Sequence, residues 1–167
     1  SVFKKGFKMN SQIVFRSNLL HSQGSTKLQL IKDVYLLCEK NQRGRFQILE
    51  RARSQAGLKK KRKNVPFYDL SNYLITPCFF DIHFHWVQDS ISQSSKAELL
   101  GWLKKYAWPA EKAFKNPQYA DQQAKRFQKK LDQNGTIGGA VYASKHEPSV
   151  DAFFKNVSGN FIAGHVL

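Results

Sequence analysis

Short runs with alternating or β-branched apolar positions dominate the first part of the chain. Gln12-Ile13-Val14-Phe15-Arg16 is one such run, and Leu28-Gln29-Leu30-Ile31 leads to Val34-Tyr35-Leu36-Leu37 after a polar break. Ser22-Gln23-Gly24-Ser25-Thr26 between them is small and polar around a glycine, the composition of a hairpin turn. Arg45-Phe46-Gln47-Ile48-Leu49 is a third candidate strand, also compatible with the start of a helix. These runs predict a small β-rich module ending near Pro66, with no internal repeat.

From Phe79 the pattern changes to strands alternating with helices. Phe79 to Phe84 is a short aromatic and β-branched run entered through Thr76-Pro77. Ser95 and Glu98 have the spacing of a capping box ahead of Leu99, Leu100, Trp102 and Leu103, and Pro109 is expected to end that helix. Asn116-Pro117 predicts the start of a second helix, because Asn caps well and Pro fits the first helical position. Its Ala120, Ala124, Phe127 and Leu131 recur at helical spacing and form one apolar stripe, which Asn134-Gly135 closes. Thr136 to Tyr142 reads as a strand despite two glycines. Pro148-Ser149 opens a third helix with Val150, Phe153, Phe154 and Val157 on one face, and Phe161 to Leu167 is a last strand. This order is the grammar of a parallel α/β sheet or barrel. A closed (β/α)8 barrel takes roughly 250 residues. Only 90 follow Pro77, so the chain reads as an incomplete barrel, its first three β/α units, behind a β-rich module. The expected division is residues 1–76 and 77–167.

Composition sharpens this picture in two places. Of the 167 residues 41% are hydrophobic, which excludes a wholly disordered tail, and no window approaches a membrane-spanning helix. The opening SVFKKGFKMN lacks the apolar stretch of a secretory signal, and Cys38 and Cys78 read as reduced thiols of a cytoplasmic protein. The net charge of +15 is concentrated: residues 1–67 hold 16 Lys and Arg against three acids, a net of +13. Its densest run, Lys59-Lys60-Lys61-Arg62-Lys63, reads first as a solvated loop and second as a polyanion-binding patch. No zinc-finger, helix-turn-helix or RNP-like pattern accompanies it, so a nucleic-acid partner is not expected.

The chemistry concentrates in Asp81-Ile82-His83-Phe84-His85. On a regular strand side chains alternate, which would place Asp81, His83 and His85 on one face and Ile82 and Phe84 on the other. Two imidazoles spaced this way can reach one metal ion, and neutral imidazole offers the lone pair. His21, beside a turn, His146, after a strand, and His165, within the last strand, are weak candidates for a third ligand.

Thr76-Pro77-Cys78-Phe79-Phe80-Asp81-Ile82-His83-Phe84-His85 resembles the PGFxDxHxH signature that opens the barrel of amidohydrolases. The segment from Leu99 to Glu111 resembles the LLxWLxxYxFPxE stretch of guanine deaminases, and Asn134-Gly135-Thr136 and the following helix continue the match in order. The likeness is close from Pro77 onward and loose before it. It implies a zinc aminohydrolase, homo-oligomeric at full length, that converts guanine to xanthine and ammonia. His83 and His85 match the first two ligands of the Zn2+ ion, and Gln88 matches a glutamine that contacts the purine. The family's remaining ligands, two histidines and an aspartate, and its proton-shuttling glutamate lie on later strands. The resemblance therefore assigns no catalytic residue to this chain. Cys78 stands where the family has glycine, and Trp86 and Asp89 differ from the usual neighbours of the glutamine. Two alternatives stand beside this reading. One is a basic polyanion- or nucleic-acid-binding remnant without catalysis, and the other is an amidohydrolase acting on another aminopurine or a triazine.

Overall fold

The computed structural model describes residues 11–24, 26–41, 45–94 and 98–165. The basic opening run, Ser25 of the predicted turn, Ser95 of the predicted capping box and residues 166–167 of the last strand lie outside the described residues. The chain forms two compact units, Ser1–Pro77 and Cys78–Leu167.

The first unit is a four-stranded sheet of β1 (Gln12–Gln23), β2 (Lys27–Lys40), β3 (Phe46–Ala52) and β4 (Phe67–Ile75), in the order β3-β2-β1-β4. The hairpin partners are antiparallel, while β4 runs parallel to β1 with Val14 opposite Phe67. The two runs expected on either side of a polar break form one continuous strand. Asp33 absorbs the break by adopting a positive φ of 50° opposite a register shift in β1. Its backbone N–H donates to Asn18 Oδ1 at 3.2 Å, and its carboxylate accepts from Arg16 at 2.6 Å. β4 lies beyond the expected end of the module. Its polar residues weaken the local pattern, and its partner β1 is more than fifty residues away. β1 and β2 are apolar on both faces: Ile13, Phe15, Leu36 and Cys38 join one core cluster, while Val14, Leu37 and Leu58 form another. The lysine-rich run is a loop whose backbone is tied to the sheet. Gln12 donates to the Lys60 carbonyl and accepts from the Arg62 N–H, and Glu50 accepts from the Lys60 N–H.

The second unit has the expected α/β alternation. Its parallel sheet has the order β5 (Phe79–His85), β6 (Thr136–Ala143) and β7 (Asn160–His165). A 3₁₀ turn (Trp86–Ile91) follows β5, then α1 (Leu99–Trp102), a π-helical turn (Leu103–Ala107) and α2 (Trp108–Ala113). Pro109 does not end this helix, contrary to expectation. A proline has no N–H to donate and its ring crowds the preceding turn, and the wider π turn just before it relieves both demands.

α3 (Pro117–Asn134) begins and ends as predicted: Asn116 Oδ1 accepts from the N–H groups of Gln118 and Tyr119, and Gly135 closes the helix at φ 68°. Ala120, Ala124 and Leu131 of its stripe are buried, and Phe127 packs against the cluster that holds the two alanines. In α4 (Glu147–Asn156) Phe153 is fully buried, but Phe154 is 55% exposed, so the expected four-residue apolar face is narrower than its spacing suggested. Ser149 takes the inward place instead. Its hydroxyl donates to the His146 carbonyl at 2.7 Å, so a polar group is satisfied within the core. The glycines of β6 serve close packing. A methyl at Gly139 would overlap the backbone carbonyl of Asp81, and one at Gly138 would overlap the Phe80 ring. Among the described residues no helix is long and apolar enough to cross a membrane.

Candidate functional site

β5 is not a regular strand, and its irregularity shapes the site. Asp81 pairs with Gly139 and Phe84 with Val141, so three steps along β5 match two along β6. The extra residue is a bulge, which breaks strict alternation. Asp81 is exposed and borders the same cavity as His83, Phe84 and His85. Its carboxylate accepts the backbone N–H of His83 at 3.1 Å.

The two histidines do come together. Their ring centroids are 5.4 Å apart, and both rings lie against Tyr142 of β6, at 4.7 Å from His83 and 4.9 Å from His85. His85 pairs with Tyr142 across the ladder, which stacks its ring nearly parallel at 19°. Tyr142 was not singled out in the sequence, because only the pairing of β5 with β6 brings it here. His83 is exposed and His85 half-buried. Burial lowers the His85 pKa, the neighbouring His83 lowers it further, and Glu111 opposes both. A ring kept neutral keeps its lone pair. His85 Nδ1 is buried with no hydrogen-bond partner, the condition of a nitrogen open to a ligand.

His83 and His85 border a cavity of about 530 Å³ together with Gln88, Trp102, Phe127 and Lys130. Gln88 reaches it from the 3₁₀ turn that starts at the residue after His85, and its Nε2 donates to Glu111 Oε1 of α2 at 2.8 Å. Lys130 of α3 forms an ion pair with Asp89, at 2.8 and 2.9 Å to the two carboxylate oxygens. The Trp102 indole donates to Ser94 Oγ at 2.7 Å.

Neither His146 nor His165 joins the pair in a metal-binding cluster. His21 lies against Arg51 in the first unit, with 3.2 Å between Nε2 and Nη1. His165 is exposed on β7, its Nδ1 2.8 Å from the Ser144 carbonyl, rather than packed. His146 caps the start of α4, and its pKa is lowered by burial and by Lys115 and Lys145, against the opposing charge of Glu111. Among the described residues, no group of three or more His, Cys, Asp or Glu is placed to hold a metal ion.

No family model matches the chain. It is 34% identical over 102 residues to the guanine deaminase of Escherichia coli (strain K12), covering 59% of this chain and 23% of that protein. It is 31% identical over 140 residues to the guanine deaminase of Homo sapiens, covering 81% of this chain and 30% of the relative. Among solved structures it resembles the guanine deaminase from C. acetobutylicum with guanine bound in the active site. That match has a TM-score of 0.67 and 30% identity, and covers 87% of this chain and 33% of the other. The chain therefore spans about a quarter to a third of the length of the guanine deaminases it resembles.

Proposed function

We propose that this chain supplies the opening β/α units of a (β/α)8 metal-dependent deaminase that hydrolyses guanine to xanthine and ammonia. The observation that supports the reading most directly is the His83–His85 pair. Two imidazoles 5.4 Å apart rest on one tyrosine, and one ring carries a buried, unpartnered nitrogen. The donor set fits a zinc ion. His83 and His85 would hold two of its positions, and the rest of its ligands would come from later strands of the barrel. When bound, the ion supplies Lewis acidity that turns water into a nucleophile near neutral pH.

The chain's own residues prepare the ground for that step. Tyr142 fixes the azimuth of both rings, and burial holds His85 neutral so that it can ligate. Gln88 presents an amide to the cavity, where it would hydrogen-bond the purine edge. Trp102 and Phe127 give that cavity apolar wall. No general acid or base among these residues is assigned, in keeping with a proton-shuttling glutamate on a later strand.

The test is metal content and guanine turnover of the gene product, wild type and with His83→Ala or His85→Ala. Metal retention by the wild type, lost in both variants together with xanthine formation, is the expected result. Turnover that survives either substitution, or survives chelation, would overturn the assignment.

A further inference from the structure

The hydrogen bond between Gln88 and Glu111 has a directional consequence. A primary amide carries a donor end and an acceptor end of nearly equal size, and nothing in its shape decides which end faces where. A carboxylate decides, because an ionised carboxylate only accepts. Glu111 Oε1 lies 2.8 Å from Gln88 Nε2, so the nitrogen must face α2. The bond is charge-assisted and stronger than one between neutral groups. Gln88 Oε1 accepts no hydrogen bond from any described residue, while the side chain borders the cavity beside His83 and His85.

We propose that Glu111 is the positioning residue that sets the hydrogen-bond polarity of the cavity wall, turning the Gln88 carbonyl oxygen toward the ligand. The inference rests on the guanine reading given above and deepens it to a rule of selection. A wall that offers a fixed acceptor favours a purine edge carrying N–H groups. Guanine has such an edge in its lactam N1–H and exocyclic amine. Adenine has a bare ring nitrogen at the corresponding place, and an acceptor facing an acceptor leaves both unpaired. Glu111 itself is not among the residues that border the cavity. It works through Gln88, and its charge is also felt at His85 and His146. The sequence pattern offered Glu111 only as part of a longer motif; its role follows from the turn of α2 that brings it within reach of the residue three after His85.

Glu111→Gln keeps the size of the side chain and removes the rule, since an amide can donate as well as accept. In the wild-type chain labelled with ¹⁵N, the Gln88 side-chain amide, assigned by its loss in Gln88→Ala, should show one strongly downfield, slowly exchanging proton. In Glu111→Gln that asymmetry should collapse. In the gene product, Glu111→Gln should raise the KM for guanine about tenfold, the worth of one hydrogen bond near 1.4 kcal/mol. It should leave kcat nearly unchanged and narrow the preference for guanine over adenine. The exchanged pair, Gln88→Glu with Glu111→Gln, points an acceptor at the cavity again and should restore the preference. An unchanged Gln88 amide signal in Glu111→Gln, or an unchanged guanine-to-adenine ratio, would overturn the proposal. A wild-type protein that ignores guanine would instead overturn the reading of function, and the amide signal would still decide whether Glu111 orients Gln88.

Discussion

The sheet of the first unit and the sheet of the second use their faces differently. β1 sends Ile13 and Phe15 into one cluster and Val14 into another, so the strand is packed on both sides. β5 sends Phe84 into the core under the helices and leaves Phe80, Ile82 and His83 exposed, Ile82 by 83%. Ile162 of β7 is likewise 80% exposed. A strand apolar on both faces has few positions to spare for a reactive group, and the charges it does carry, such as Arg16 with Asp33 and Asp69, are paired with one another. A strand packed on one face can carry imidazoles on the other. The contrast separates a stretch that only needs to fold from one that can also bind.

Substitutions can break this contrast, and the largest effect is expected at Gly139. Alanine there would drive a methyl into the Asp81 carbonyl, and neither backbone has room to retreat. The second unit should fail to reach its native packing, read as loss of near-ultraviolet dichroism from Trp86 and Trp102. A native spectrum for Gly139→Ala would show that the close approach of β5 and β6 is dispensable.

Removing core side chains compares the two units next. Phe153→Ala and Leu36→Ala both empty fully buried sites. Denaturant titration should show losses of about 3–5 and 2–5 kcal/mol respectively. A loss below about 1 kcal/mol at either site would contradict the assignment of that residue to a packed core.

Acid sharpens the comparison at the helices. Asp121 of α3 accepts from Lys125, from Asn156 and Lys155 of α4, and these partners hold its carboxyl well below the usual range. A folded-state pKa below the unfolded one means the unfolded chain binds the extra proton. The contribution is therefore present above the ordinary value of 3.8 and is lost as the pH falls below it. Asp121→Asn should lower the melting temperature at pH 7 by a few degrees and have little effect near pH 2. A loss that is the same at both values would sink the electrostatic explanation.

The smallest effect is chemical. Cys38 is buried between strands and its thiol is pushed up to about 11, whereas Cys78 is exposed. A thiol reagent at pH 8 should label the native protein once, at Cys78, and label Cys38 only after denaturation. Rapid double labelling would show that the first sheet opens readily.

Where structure is set locally, the sequence reveals it. α3 is legible to the residue, because Asn116, Pro117 and Gly135 act through their own backbone. The histidine pair is legible for the same reason, two residues apart on one strand. What escapes the sequence depends on partners far along the chain. β4 is recognisable only through its pairing with β1, and Tyr142 only through its place opposite His85. The bulge in β5 escapes for the same reason, since it exists only in the register against β6. Phe154 misleads because helical spacing gives the direction of a side chain without saying whether anything covers it.

The π turn at Leu103–Ala107 has a reach beyond the proline it accommodates. A π turn holds one residue more than the α turn it replaces, so everything downstream is re-phased by about 100° around the helix axis. Rewinding that turn as regular α-helix with every residue kept would swing Glu111 to another quadrant of the helix, out of reach of Gln88. The irregular winding is thus a phase setting, and the orientation of an amide on a different segment depends on it.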